Sequence, residues 1–398
     1  MLVALSRSGG FVLKFVIVST GEEQSEQAGA ALADQVRAYY DEPPHAVILF
    51  ASPRFDAEAL LREFNRLVQP AQLVGCSSAG EFTQATQGTG LACCVAIWSE
   101  DLQFQSALAQ GISGDHQGSA RRMAEALADQ PAPIDHFRTG ILFVDALAGH
   151  TEPFLNELTA ATAGAYQFVG GGAGDDGQFN KTCVFLGSQV LGDAAVVLGI
   201  VSKVPLAVGV GHGWTPRPER MRVTHSEGNV LYSLNGIPGR DAVEAHATAT
   251  GQSLDLADPL PFFLHNILGI ETPAGFKLRV PLALQADGSL LMAASIPESS
   301  VVSFMSTSSA SSAAAARNAA VSGMEQLAGA EPKFALFFDC VATRLRMGED
   351  EFQAELTELS QAMRGVPFLG FNTHGQVARA AGQFSGFHNC TAVVCMFP

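Results

Sequence analysis

HAVILFASP (residues 45–53), FDAEALLREFNRLV (55–68) and AQLVGCSSAGEF (71–82) follow one another with almost nothing between them, and they decide the fold. The first is a continuous apolar run without alternation, which suits a strand covered on both faces. The second places Leu60, Leu61, Phe64, Leu67 and Val68 at helical spacing, so one side of it must lie against something apolar. The third is apolar again and runs into Gly75 and Gly80. Strand, helix, strand in this order makes a right-handed βαβ unit with parallel strands. Ligands in such sheets sit beyond the carboxyl ends of the strands, where these glycines fall.

The unit recurs twice. TGILFVDAL (139–147), EPFLNELTAAT (152–162) and YQFVGGGAGDDG (166–177) repeat it, as do KFALFFDCV (333–341), EDEFQAELTELSQAM (349–363) and VPFLGFNTHGQV (366–377). Each copy is preceded by an Ala-rich helical stretch: residues 23–40, 119–130 and 311–328. Each is followed by another apolar strand: LACCVAIW (91–98), KTCVFLG (181–187) and CTAVVCMF (390–397). Between the second and third copies, from roughly 190 to 305, short strands and turn signals such as NGIPGR and ADGS take over, with one short helix expected at Gly239–Gly251. The expected fold is α/β: repeated βαβ units in parallel-rich sheets, two lobes divided as 1–222 and 223–398, and a β-rich central region.

Bulk properties narrow the function. The 398 residues carry a net charge of −16 with no basic run. That excludes nucleic acid or an anionic membrane as the main partner, since phosphate recognition needs clustered Lys and Arg. Seven cysteines are scattered without a CxxC pair, which fits reduced thiols in a cytosol. The opening MLVALSRSGGFVLKFVIVST reads as a strand rather than a targeting segment. The apolar region Val190–Val210 is broken by Asp193, Lys203 and Pro205, and reads as two buried strands rather than a membrane span.

The stretches VGCSSAGEF (74–82), FVGGGAGDDGQFNKTCVFLG (168–187), GVGHGWTP (209–216), VTHSEGNVLYSLNGIPGRDAVEAH (223–246) and PFLGFNTHGQVARAAGQFSGFHNCTAVV (367–394) run in order along nearly the whole chain. In them the sequence resembles the FIST family, with both its N-terminal and C-terminal regions. The resemblance implies a bacterial signal-transduction protein that senses small ligands such as amino acids, rather than an enzyme. It also implies, through a free-standing subgroup of similar length, haem binding, nitric-oxide sensing and regulation of a separate partner histidine kinase. A cytoplasmic location and a homodimer are expected with it. One departure stands out: the third copy reads Gly375-Gln376 where the family pattern has Gly-Glu, which would weaken a ligand contact made by a carboxylate there.

The strand-end loops supply the expected ligand-binding residues: Gly75, Cys76, Ser77, Ser78, Gly80 and Glu81 in the first, Gly171 and Asp175 in the second, Asn372, Thr373 and His374 in the third. Their spacing matches neither a dinucleotide fingerprint nor a Walker loop. Backbone N–H groups there suit an anion; the other reading is that glycine permits tight turns in a repeated fold. Cys76 raises a second class of function, a cysteine-dependent hydrolase or transferase with His374 as base. The matching positions are Gly171 and Phe371, however, and no Asp or Asn completes a triad. Among ten histidines no HExxH occurs. Haem needs only one proximal histidine in an apolar pocket: His246 closing GRDAVEAH, His265 after PLPFFL, and His212 beside Trp214 are the alternatives. The Asp175-Asp176 pair could bind a metal or an amine, though two acids after glycines more often form turns, and His388 and Asn389 read as turn residues.

Overall fold

A computed structural model describes residues 2–3, 13–130, 132–327, 329–379 and 385–398. Most of the opening stretch, Ala328 at the end of the third Ala-rich segment, and residues 380–384 of the last resemblance stretch lie outside the described residues. The first strand–helix–strand unit forms as its sequence dictates. The apolar run becomes strand Ala46–Ala51, every residue of it buried. Asp56 accepts a hydrogen bond from Ala59 N (3.1 Å) and starts helix Ala57–Val68, which lays Leu60, Leu61 and Phe64 inward. The chain returns as strand Leu73–Ser77, parallel to the first.

The other two copies build the same pair: Phe137–Val144 with Tyr166–Gly172, and Phe334–Cys340 with Phe368–Thr373, each parallel. The Ala-rich stretches are helices Ser25–Tyr39, His116–Ala128 and Ser309–Gln326. Two further strands join each pair, one from before the first helix and one from the end of the copy. Each sheet is therefore mixed, with one parallel ladder among antiparallel ones.

The three sheets are locked by exchange. After its second strand each copy extends a short hairpin, and that hairpin joins a different copy's sheet. Glu81–Thr83 pairs with Phe368–Thr373 of the third copy. The third copy's Gln376–Arg379 pairs with Tyr166–Gly172 of the second. The second copy's Val184–Leu186 pairs with Leu73–Ser77 of the first. The circuit closes after three steps.

The inner faces of all three sheets meet in one apolar core. Phe50, Phe143 and Phe338 occupy equivalent positions on the three first strands, opposite Cys76, Gly171 and Phe371. Phe50 packs on Phe143 (5.4 Å between ring centres) and Phe371 (4.4 Å), and Phe143 on Phe338 (6.2 Å). The outer faces carry the helix pairs. Close parallel packing fixes one residue type: a Cβ at Gly75, Gly170 or Gly370 would lie 1.8, 2.0 or 1.9 Å from the carbonyl oxygen of Leu49, Leu142 or Phe337 on the neighbouring strand.

The β-rich region is an insertion into the third copy. It runs between strand Ala207–Gly211 and helix Ser309–Gln326, and its strands from Thr215 to Ser306 form a nine-stranded sheet in which every pair is antiparallel. The apolar region Val190–Val210 supplies strands Ala194–Ser202 and Ala207–Gly211 of the repeated sheets. The expected helix spans Gly239–Thr250. The insertion docks on the second copy through buried charge: Arg279, 1% exposed, pairs with Glu152 (2.6 Å), which also bonds Lys277 and accepts from Ser295 Oγ (3.0 Å). Among the described residues no helix is long and apolar enough to cross a membrane.

Candidate ligand site

The three strand-end loops converge. Ala79 N donates to Asn372 O (3.0 Å) and Asn372 N to Gly80 O (2.8 Å), joining the first loop to the third. Gly172 N donates to Gly375 O (2.8 Å) and His374 N to Gly172 O (3.0 Å), joining the third to the second. Gly174 N donates to Ser77 O (2.8 Å), joining the second to the first. The sequence-expected ligand residues are thus brought to one junction, but most are spent on each other. Ser77 Oγ accepts from Cys183 N (3.0 Å), Asn372 Oδ1 from Arg344 Nη1 (3.2 Å), and Asp175 from the amides of Phe179, Asn180 and Lys181 (2.9, 2.6 and 3.0 Å). Gly171 faces Thr373, and a Cβ at Gly80 (φ +124°) would strike Arg344. Cys76 is fully buried in the central core, where burial pushes its thiol well up.

Glu81 and Gln376 explain the Gly-Gln departure. Ser78 Oγ donates to Glu81, and Leu91 N donates to its other oxygen (2.9 Å). In the third copy Gln376 Nε2 donates to Thr373 Oγ1 (2.6 Å), and Thr391 N donates to its Oε1 (3.2 Å). Ser78 matches Thr373, and Leu91 matches Thr391. Both side chains tie the exchanged hairpin to the start of the last strand, so Gln376 is a structural bridge. Burial raises Glu81 to about 8, so at neutral pH it is protonated and resembles the amide.

The side chain of His374, in the same junction, is not spent. His374 is buried, stacked on Phe179 (4.7 Å between rings). Its Nε2 lies 3.3 Å from Asp175 Oδ1, outside hydrogen-bond geometry, so neither ring nitrogen has a hydrogen-bond partner. Burial holds the imidazole neutral, at about 4. His374 lines a cavity of about 370 Å³ between the third and second strand-end loops and the inserted sheet. Leu260, Leu264, Val280, Leu282, Leu291 and Met292 form its apolar roof from the insertion. Cys340, the last residue of the third copy's first strand, and Val341 and Ala342 just past it form the opposite wall, with Asn389 beside them. Asn389 Nδ2 donates to His388 O (3.2 Å), while its Oδ1, also buried, has no partner. Hydrogen bonding from the Cys390 thiol draws Cys340 down to about 6, and that pairing pushes Cys390 up. Among the described residues no Lys, Arg, Asp or Glu side chain lines the cavity, and Asn229 adds a polar side chain from the insertion.

The histidines singled out for haem sit elsewhere. His246 lies in the insertion's own core, stacked on Phe304 (3.9 Å) with Nε2 3.1 Å from Asn266 Oδ1. His212 Nδ1 accepts from Trp214 N (3.3 Å). Neither these two nor His265 lines this cavity, and burial lowers all three. Among the described residues no group of three or more His, Cys, Asp or Glu is placed to hold a metal ion. Sequence reasoning missed Cys340, Asn389 and the roof. The one legible hint was that Cys340 and Asn389 border strands of the third copy.

Three related α/β sheets surround one core and carry a cavity of about 370 Å³ at their strand ends. Residues 45–237 match the FIST N domain and residues 242–379 the FIST C domain, so the chain belongs to the FIST family, whose domains carry a sensory role in signal transduction. It is similar to the uncharacterised protein MJ1623 of Methanocaldococcus jannaschii, 25% identical over 205 residues, a match covering 48% of this chain and 39% of that protein's length. Among solved structures, PurL of Thermotoga maritima complexed with ADP aligns over 97% of this chain and 71% of its own, at 12% identity and a TM-score of 0.23. The ATP complex gives 11% and 0.24. At such TM-scores these likenesses carry no argument.

Proposed function

We propose that this chain senses a small molecule in the cavity between the inserted sheet and the strand-end loops, and that occupancy is read by a separate protein, a histidine kinase being the partner proposed. The carrying observation is that His374 and Asn389, two buried side chains that each hold an unpaired polar atom, are among the residues that line a cavity of about 370 Å³. Buried polar atoms without partners cost free energy, and a bound ligand recovers it. The volume falls in the usual range for small-molecule sites, about 300–1,000 Å³. The roof and floor belong to different parts of the fold, so occupancy biases how the insertion sits, and that is a surface a partner can read. The role is binding rather than catalysis. Cys76, the nucleophile of the enzymatic alternative, is a buried protonated thiol away from this cavity's lining.

A thermal-shift screen of small molecules tests the reading. A native-state ligand at about a hundred times its Kd adds about 2.7 kcal/mol of stability. Filling the cavity with Leu282→Trp should erase that shift; a shift that survives the filling puts the site elsewhere and refutes this reading.

A second reading, haem-based nitric-oxide sensing, is favoured by the same unpaired imidazole. The residues fit the proximal side of such a group: a neutral His374 on an apolar wall would hold the iron, with Cys340 the other soft donor nearby. When bound, the haem would supply the gas-binding position. Protein produced with haem supply should then show a Soret band that His374→Ala removes and His246→Ala leaves. Loss with His246→Ala instead would reject His374 as the ligand.

A further inference from the structure

The second sheet carries another cavity, at the end opposite the strand-end loops. It measures about 410 Å³ and opens where the parallel strands Phe137–Val144 and Tyr166–Gly172 begin. Arg138, from the first of these strands, and Arg379, the last residue of the third copy's exchanged strand, both line it. The site is therefore complete only when the exchange is made. Arg138 Nη1 donates to Gln130 O (3.5 Å), its guanidinium lying 5.6 Å from the Tyr166 ring centre, and Arg379 Nη1 donates to Gly164 O (3.4 Å). Both bonds stand at the outer limit for an N–H donor, and each guanidinium has five N–H groups to place. Among the described residues neither arginine is ion-paired and no Asp or Glu lines this cavity. Asp135 adjoins it, but pairs with the His136 ring (3.0 Å) and is 85% exposed at its side chain. Two arginines at one cavity run against the field of a chain whose net charge is −16.

An apolar lip adjoins the arginines. Phe137, 47% exposed, and Pro205 line the cavity. Phe137 lies opposite Ser202 in the ladder, which brings exposed Val204 and Pro205 beside it. Exposed Ile134 stands in the turn just before Phe137, closed by His136 N donating to Pro133 O (3.1 Å). Large apolar side chains left in water around a cavity with convergent polar groups mark a binding site. We propose that this cavity is a second small-molecule site, which takes an organic anion: a carboxylate or phosphate head on Arg138 and Arg379, and an apolar body on Phe137 and Pro205. The planar guanidinium fork suits both heads, since each offers two oxygens at matching spacing.

Calorimetric titration of the full chain with 4-phenylbutyrate, phenyl phosphate and 4-phenyl-1-butanol tests this. The anions should bind, the tighter one naming the head group, and the neutral alcohol should bind about tenfold more weakly or not at all. Arg138→Gln and Arg379→Gln should each weaken the anions about tenfold, the loss of a charge-assisted hydrogen bond. Both side chains reach solvent, so the melting temperature without ligand should hold. Phe137→Ser should also weaken the anions; an unchanged affinity there overturns the apolar half of the proposal. Arg62→Gln, at an exposed arginine of the first copy, and Leu282→Trp, which fills the cavity under the inserted sheet, should change nothing. No binding of either anion, equal binding of the alcohol, or an affinity unmoved by the Arg138 or Arg379 change would overturn the site. So would an equal loss with Arg62→Gln, which means adventitious surface binding only. A loss with Leu282→Trp would place the anion in the other cavity, ending this proposal and leaving the ligand-site reading above intact.

Discussion

Replacing Glu152 by alanine removes the carboxylate that fastens the inserted sheet to the repeated body. Arg279 is then left almost wholly buried, with three carbonyl acceptors, Ser295 O (2.7 Å), Leu278 O (2.9 Å) and Phe387 O (3.5 Å), but no counter-charge. Breaking a buried pair from one side costs about 3–5 kcal/mol. The remaining carbonyls place this case near the lower figure, and Lys277 reaches solvent, its side chain being 19% exposed. At about 2 °C per kcal/mol for a chain of this size, melting should fall by about 6 °C. Burial acts against all three charges and holds Lys277 and Arg279 below their usual ranges, yet for Glu152 the two cations together outweigh it and lower its carboxyl. A depressed carboxyl stabilises above its unfolded pKa and loses that contribution as pH falls through the folded one. The gap between wild type and variant should therefore be full at pH 7 and close in acid below pH 4.5. Calorimetry at pH 7 and in acid measures both. The combined variant Glu152→Leu, Lys277→Met, Arg279→Met should recover to within about 1 kcal/mol, since an apolar replacement of the whole cluster leaves no orphan charge. A Glu152→Ala protein melting within 2 °C of wild type at pH 7, or a triple variant no better than the single one, would refute the reasoning.

Glu81 is raised to about 8, so the folded protein holds a proton there that the unfolded chain releases near 4.5. Stability should decline as pH rises through that window, and Glu81→Gln, copying Gln376, should flatten the decline and melt higher than wild type at pH 8. A variant with an unchanged slope in denaturant titrations across that range would show that Glu81 is not the source. Gly370→Ala would put a Cβ 1.9 Å from Phe337 O and 2.4 Å from Phe82, so the parallel strands must part. The expected loss is about 3 kcal/mol or more in urea midpoints, against about 0.5 or less for Gly114→Ala, where the added carbon has room. Equal midpoints for the two would contradict the close approach.

The repeated body is legible in the sequence for a physical reason. A strand covered on both faces must be apolar along its buried run, and AVILFA (46–51), GILFV (140–144) and FALFF (334–338) are. The exchange of hairpins is not legible: KTCVFLG reads as the strand that closes its own copy, whereas Val184–Leu186 joins the first copy and Ala194–Ser202 closes the second. Glu81–Thr83 and Gln87–Gly88 are too short and too polar to carry a period, and the sheet they join is chosen by tertiary contact rather than local pattern. The loops were located as a site, yet burial turned Ser77, Asn372 and Thr373 into joints of the fold. What remains for a ligand depends on which hydrogen-bonding atoms are left over. No property of His374 or Asn389 alone reveals that, because it is set by how the surrounding loops pack. The cavity roof comes from Leu260 to Met292, distant in the chain and brought over the loops only by the docking of the insertion.

The circuit of exchanged hairpins also says what one copy would do without the others. A single copy exposes an unpaired edge at its second strand and holds out a hairpin shaped for just such an edge. The contact is head-to-tail, and three steps of it close. A lone copy therefore has two fates: to assemble with two others into a ring of three separate chains, or to leave its edge open to uncontrolled strand addition. The present chain carries that ring in one polypeptide, with the inserted sheet placed inside its third copy.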